Sequence, residues 1–351
     1  MKYHIALSRP FNLKDFDRNA KAGKCPRHTM LSLSQYLGAT VHQPEGNPIS
    51  LLDKMRAKIT GSEPEHWALA RKLSSQLKSD DMIFSIGEDV GFPIAAVCGA
   101  KQKRPQMSVF VHNIDRPRGR LSLKLFDLGN RIDLFMTNTS VKADFLRKSL
   151  KLPEERVYLV TEQTDTQFFV PGSSSPNKSR PIIGSGGLEQ RDYKTLAEAT
   201  KDLGVDVKIC AMSPNARPDP EKFPNVIPDN MTIKKLDWPD LVQHYRDSDV
   251  VVISLQQHNY QAGLTTLFES MACRRPVVMT RTPGLVEELA DSGIVTGVSS
   301  GDAAGMQQAI LDLLNNPEKA QSQAQRGYEL VVKEYNSEQY VKGIAEYLKS
   351  M

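Results

Sequence analysis

No stretch of this chain approaches the roughly 20 consecutive apolar residues that a helix needs to cross a bilayer. The opening residues, MKYHIALSRP, are too briefly apolar for a secretory leader and read as a strand, so a cytoplasmic location is expected. Cysteine is scarce. Cys25, Cys98, Cys210 and Cys273 are scattered without a Cys-x-x-Cys pair, and Cys25 with His28 is the only close Cys/His pairing. That spacing argues against a disulfide scaffold or a zinc framework and for reduced, partly buried thiols. Internal repeats are missing as well. A net charge of only +4 without a binding motif gives no case for a nucleic-acid partner.

What is present is an ordinary globular composition, 40% hydrophobic and 25% charged, at a length for which two domains are the default. The charge is uneven: residues 1–170 carry 26 Lys and Arg against 18 Asp and Glu, the remainder 19 against 23. A basic first half suits an anionic acceptor or a peripheral contact with an anionic membrane, and equally a solvated face without a role. Apolar segments alternate with helical ones, as in α/β proteins with parallel sheets. Strands are expected at His4–Ser8, Ala39–Val41, Met82–Ile86, Met107–Val111, Leu134–Thr137 and Val157–Val160, with helices at Arg27–Leu37, Glu65–Lys78 and Val141–Leu150. The polar segment PGSSSPNKSRP (Pro171–Pro181) reads as an interdomain linker. Beyond it the alternation restarts, with strands at Ile182–Ser185, Val207–Ile209, Thr232–Lys235, Val250–Ile253, Val277–Thr280 and Gly293–Val295. Helices are expected there at Lys194–Leu203, Trp238–Asp247, Thr265–Cys273, Ala303–Asn315, Pro317–Tyr335 and from Ser337.

The segment Gln261–Val278, QAGLTTLFESMACRRPVV, carries the most chemistry. Gly263 permits a tight turn into a helix at about Leu264 and Thr265. The first N–H groups of that helix lack internal partners and sit at its positive end, where a diphosphate binds naturally. Glu269, one to two turns on, can accept hydrogen bonds from two neighbouring hydroxyls such as those of a ribose. An isolated reading of the same residues is a core-packing helix with one exposed acid.

This segment closely resembles the donor-binding stretch of retaining glycosyltransferases of the GT-B fold, the large family-4-like group (glycosyl transferases group 1), in which a Glu stands eight residues before a second Glu. Here the second Glu is Glu269 and the first position is Gln261. DTQFFVP (Asp165–Pro171) is similar to the family's close of the first domain, SGGLEQRDYKTLAEA (Ser185–Ala199) to its strand-to-helix phosphate turn, and DWPDLVQHYRDSDVVVISL (Asp237–Leu255) to the lining of its base pocket. EYNSEQYVKGIAEYL (Glu334–Leu348) resembles its terminal helices. The resemblance covers most of residues 134–351.

It implies two Rossmann-like domains facing across a cleft. An acceptor-binding domain spans 1–170, a nucleotide-sugar-binding domain 171–335, and a helix at 336–351 returns to the first domain. It implies transfer of a sugar, of the hexosyl type, from a nucleotide sugar to an acceptor hydroxyl with retention of configuration, and two domains that close on binding. Metal is not expected, because no Asp-x-Asp stands at a strand end and the fold manages charge with basic residues and helix dipoles; no cofactor is expected either. Arg191 stands where the family's phosphate-binding Lys stands, with Lys194 just beyond and Gly187 at the family's Arg position. Positive groups there stabilise the charge that grows on the departing diphosphate, and Arg can grip phosphate with two N–H groups at once. Gln261 keeps an acceptor carbonyl for a sugar hydroxyl and gains an NH2 donor.

In the first half, His112 follows a strand end, where α/β sites open, and the family often places a His near the transferred sugar. Gly23 and Lys24 resemble its cleft loop. Glu88 and Asp89 follow another strand end, with an acceptor hydroxyl or a helix start as their alternatives. The basic, leucine-interleaved run Arg116, Arg118, Arg120, Lys124 reads as a plain amphipathic helix start, an anion clamp or an interfacial membrane element. The acceptor is left open among a small metabolite, a lipid headgroup and a glycan. The rival readings are a non-catalytic sugar-nucleotide binder and a GT-B epimerase or hydrolase.

Overall fold

The computed structural model describes residues 1–112, 114, 117–176, 178–212, 219–258 and 261–351; Arg116 of the basic run and Asn177 of the Pro/Ser-rich segment lie outside the described residues. Contacts divide the chain into two compact units. One comprises Met1–Arg18, His28–Thr161 and Tyr340–Met351, the other Asn19–Arg27 and Glu162–Gln339.

Through residue 161 the chain runs β1 (Tyr3–Ala6), α1 (Leu13–Lys21), α2 (Thr29–Leu37), β2 (Thr40–His42), α3 (Leu51–Thr60), α4 (Pro64–Gln76) and β3 (Met82–Ser85). It continues as α5 (Glu88–Cys98), β4 (Gln106–Phe110), α6 (Pro117–Leu125), α7 (Leu128–Arg131), β5 (Leu134–Thr137), α8 (Ser140–Leu150) and β6 (Val157–Leu159). The six strands form one parallel sheet in the order β2-β1-β3-β4-β5-β6. Because side chains alternate across a strand, the sheet feeds two cores. Ile83 points with Trp67, Leu73, Val90 and Ile94 into one. Met82 and Phe84 point with Ile5, Leu33 and the last helix's Val341, Ile344, Ala345 and Leu348 into the other. Each such large side chain, fully buried, contributes about 1.5–3 kcal/mol.

Among the expected helices α3 and α5 do not figure, and the reasons differ. Gly91 and Pro93 make α5 look like a turn, but both are buried on the sheet and packing overrides their low propensity. In α3 the inward residues are Asp53 and Ala57, so the apolar pattern faces the wrong way.

The second sheet is built from β7 (Ile182–Gly186), α9 (Tyr193–Thr200), β8 (Asp206–Cys210), β9 (Met231–Lys234), α10 (Trp238–Asp247), β10 (Val250–Ile253), α11 (Leu264–Ala272), β11 (Val277–Thr280), α12 (Leu285–Asp291) and β12 (Thr296–Val298). Then follow α13 (Ala303–Asn315), α14 (Pro317–Glu334) and α15 (Ser337–Ser350). Its order is β12-β11-β10-β7-β8-β9, again all parallel. The last strand falls three residues later than expected. Ile294 and Val295 both donate their N–H to the Leu289 carbonyl, closing the end of α12, so pairing starts only with Thr296 opposite Val278.

The loop 171–181 belongs to this second unit rather than joining the two. Ser175 donates its N–H and hydroxyl to Asp247 (2.8 and 3.0 Å), and Lys178 pairs with Asp249 at 2.5 Å. Residues 19–27 are likewise held in this unit. Arg27 grips the buried Asp165 with its backbone N–H at 2.7 Å and with its guanidinium, and reaches Glu338 at 2.7 Å.

Candidate functional site

In the second unit the chain leaves β7 for β8 and β9 on one side, then returns to β10 on the other side of β7 and continues to β11 and β12. The β7/β10 pair is thus where the strand order reverses, and α/β sheets bind ligands beyond the C-terminal ends of such a pair. Two loops meet there. Residues 187–192 follow β7 and residues 254–258 follow β10, joined by an antiparallel bridge between Arg191 and Leu255. Asp192 N–H donates to the Ser254 carbonyl (3.0 Å) and Gln256 N–H to that of Gln190 (2.9 Å).

Arg191 stands at the centre of this junction and is only 3% exposed. Its Nε donates to the Gly186 carbonyl at 2.6 Å, Nη1 to that of Glu189 at 2.9 Å and Nη2 to Thr266 Oγ1 at 3.1 Å. These bonds account for three of the five N–H groups of a guanidinium. Two glycines make room for it. A Cβ on Gly187 would collide with the guanidinium, and one on Gly263 would come within 3.4 Å of Nη1 and 2.9 Å of Ile253 Cγ2. Both glycines also hold positive φ, 89° and 82°, which L side chains adopt at a cost.

Gly263 begins α11, so the buried cation lies at that helix's positive end. The helices α9, α10 and α13 are capped by the carboxylates of Asp192, Asp237 and Asp302, whereas no side chain caps α11. The first bond within α11 runs from Leu267 N–H to the Gly263 carbonyl. The N–H groups of Leu264, Thr265 and Thr266 therefore have no intrahelical acceptor. A guanidinium and a bare helix start of the same sign, side by side, suit an anion.

Glu269, the sixth residue of α11, is buried, and its Oε2 accepts the Tyr245 hydroxyl at 2.7 Å. Burial lifts its carboxyl to about 7, while the Tyr245 hydrogen bond and the Arg191 charge pull the other way. Tyr245 is pushed well above its ordinary range, by burial first and then by the Glu269 charge. Two residues before Gly263, Gln261 lies half-buried with its amide against Gly284, where a Cβ would collide with Nε2.

The structure therefore brings Gly187, Arg191 and Gly263 into contact, with Gln261, Leu264, Thr265 and Glu269 on the same loop and helix. Leu264 is buried, Thr265 exposed, and it is Thr266 that meets Arg191. Lys194 is exposed on the first turn of α9 and makes none of the bonds that fix Arg191. Tyr245 and Thr266 were not among the residues singled out. Tyr245 ends an apolar stripe, Trp238, Leu241, Val242, Tyr245, that reads as core; the sign was its hydroxyl, which needs a partner once buried.

The remaining candidates sit elsewhere. In the first unit, His112 is exposed beyond β4, its ring 4.7 Å from that of Phe110. Its N–H donates to Glu88 at 2.8 Å, and its Nε2 lies 3.2 Å from the Ile86 carbonyl. Asp89 accepts the Ser8 hydroxyl (2.7 Å) and the Val90 N–H (2.9 Å). Glu88 and Asp89, with Ser62, Phe92, Arg118 and Ser122, line a cavity of about 490 Å³. Gly23 and Lys24 follow the end of α1, in the second unit, with open space around Gly23. Among the described residues no group of three or more His, Cys, Asp or Glu could hold a metal ion.

Solved structures of the same architecture span the whole chain. Sucrose-phosphate synthase from Thermosynechococcus elongatus matches with a TM-score of 0.70 at 15% identity, covering 100% of this chain and 99% of that one. HepE of Anabaena in complex with UDP matches at 0.66 and 14% identity with full coverage of both. The trehalose-6-phosphate synthase OtsA matches at 0.68 and 13%, covering 100% and 99%. A sequence comparison with curated proteins finds no match. The fold is GT-B. Residues 182–316 match the family described as glycosyl transferases group 1, and the resemblance read from the sequence holds.

Proposed function

We propose that the chain is a retaining, metal-independent glycosyltransferase that takes its sugar from a nucleoside diphosphate sugar held by the second unit. One observation carries this reading: the buried guanidinium of Arg191 lies against Gly263 at the uncapped start of α11, at the reversal point of the sheet. A diphosphate accepts the N–H groups of Leu264–Thr266 and is drawn by the positive charge of the Arg191 guanidinium beside them. These donors stabilise the charge that grows as the sugar leaves, which is the task a divalent cation performs elsewhere. Glu269 accepts the ribose hydroxyls, and Gln261 offers its amide to the sugar. His112, from the first unit, is assigned to the neighbourhood of the transferred sugar, and Glu88 or Asp89 to an acceptor hydroxyl. Sugar transfer proceeds on one face, with the donor phosphate taking the acceptor's proton, so no protein nucleophile is required.

HepE has been solved with UDP and with UDP-glucose, which makes uridine the first base to try. The test is thermal unfolding of the full chain against UDP, GDP, ADP and their sugars, with and without EDTA. One nucleotide should raise the melting temperature whether or not EDTA is present, since a ligand bound only by the folded state stabilises it, and Arg191→Lys should reduce the rise. No rise with any nucleotide at millimolar concentration, or one that Arg191→Lys leaves intact, overturns the reading. The Gln at 261 favours a second reading, donor binding without transfer. A nucleotide that binds but yields neither glycoside nor free sugar in product analysis would select it.

A further inference from the structure

We propose that α3, with the adjoining α6, docks the first unit on the surface of an anionic phospholipid bilayer. The α3 helix is built inside out. Its Ser50–Asp53 capping box and the ion pair of the buried Asp53 with Arg71 (2.6 Å) fix the helix so that Asp53 and Ala57 face the protein. At 100° per residue, Leu51, Met55, Ile59 and Leu52 then fall on one arc pointing into water. They are 80%, 62%, 46% and 49% exposed, and Ile49 just ahead is 40% exposed. A soluble surface scatters such residues singly; gathered on one helix face they mark a contact.

Cations border the arc. Lys54 and Lys58 lie exposed along one side of it, and neither makes an ion pair among the described residues. Arg56 borders the other, its guanidinium 5.2 Å over the Trp67 ring. The helix α6 touches α3 where the Arg118 side chain lies on Gly61, the left-handed residue that ends α3. It exposes Leu121 (48%) and Leu125 (54%) with Lys124 beside them. Together the two helices hold six basic residues and a single acid, the buried Asp53.

That charge pattern chooses the occupant. A two-fold dimer would set this face against its own copy and oppose lysine to lysine, with the buried Asp53 the one acid on either helix. Aliphatic side chains offer no stacking platform to bases. Leucines, isoleucine and methionine bordered by lysines match the boundary between acyl chains and anionic headgroups. A helix of 10 residues binds there reversibly rather than as an anchor.

The experiment is sedimentation of the full chain with vesicles of phosphatidylcholine alone and of phosphatidylcholine mixed with phosphatidylglycerol. The protein should follow the anionic vesicles and be released by salt. Lys54→Gln with Lys58→Gln should weaken binding about thirtyfold, about fivefold for each lysine (about 1 kcal/mol). Leu52→Ser, Met55→Ser and Ile59→Ser together should abolish it while lowering the melting temperature only slightly, because the three residues are 46–62% exposed and none belongs to the core. Equal binding to both vesicles, no binding to either, or triple-variant binding at the wild-type level overturns the proposal. So does a dimer seen without lipid and lost in the triple variant, which would identify a second copy as the occupant.

Discussion

Replacing Glu269 by Gln should stabilise the protein above neutral pH. Glu269 ionises at about 7 in the folded chain against an ordinary 4.5, because burial penalises the carboxylate more than the Tyr245 hydroxyl and Arg191 favour it. The folded state therefore keeps a proton that the unfolded chain releases. Between pH 4.5 and about 7 stability falls as pH rises, and above 7 the loss is complete. At about 1.4 kcal/mol per unit of pKa the full loss is about 3 kcal/mol. Gln is neutral at every pH and still accepts the Tyr245 hydroxyl, so it escapes the loss. The variant should match the wild type near pH 4.5 and melt about 6–12 °C higher near pH 8, at 2–4 °C per kcal/mol for a unit of this size. Thermal unfolding by circular dichroism across that range is the assay. A variant that follows the wild-type pH profile, or is less stable near pH 8, refutes the assignment of the shift to burial. If the same carboxylate also receives ribose hydroxyls, nucleotide binding near pH 7 should release a fraction of a proton. Calorimetry in buffers of different ionisation enthalpy detects it, and Glu269→Gln should abolish it.

Three further outcomes follow from the same geometry. Tyr245→Phe removes the one hydroxyl bonded to Glu269 and should cost about 1–3 kcal/mol near pH 8, less near pH 4.5 where the carboxyl is neutral; denaturant melts at the two pH values measure it. Gly263→Ala places a Cβ 2.9 Å from Ile253 Cγ2 at φ 82°, which costs about 1–2 kcal/mol for the backbone alone and tilts the start of α11, so nucleotide affinity should fall more than stability does. Arg27→Ala leaves the buried Asp165 carboxylate without its guanidinium and should cost about 3–5 kcal/mol. Asp165 is held below its ordinary pKa by Arg27 despite burial, so that loss should shrink as pH falls through the ordinary carboxylate range.

Much of the architecture was legible along the chain. Val250–Ile253 and Val277–Thr280 are short apolar runs of β-branched residues between helices, and their expected limits are those observed. A parallel strand buried on both faces can be little else. Two GT-B units follow from that alternation once the motif around Glu269 is recognised. Where local pattern and packing disagree the reading fails: Gly91 and Pro93 sit inside a helix because the sheet behind them holds it, and α3 turns its apolar residues outward because Asp53 is tied to Arg71.

At the site the division is similar. Residue order singled out Gly263 and Glu269 as a turn glycine and a helix-borne acid, and the family resemblance added Gly187 and Arg191. Contacts across distant segments decided what those residues do. Arg191 became a buried guanidinium between two glycines rather than a surface cation at a helix start, because 190–192 and 254–256 pair edge to edge. Glu269 acquired its raised pKa from burial in the surrounding core, against the opposing hydrogen bond from Tyr245, 24 residues away in the chain. Side-chain identity travels with the sequence, but desolvation and the direction of a hydrogen bond exist only once the sheet has brought the loops together.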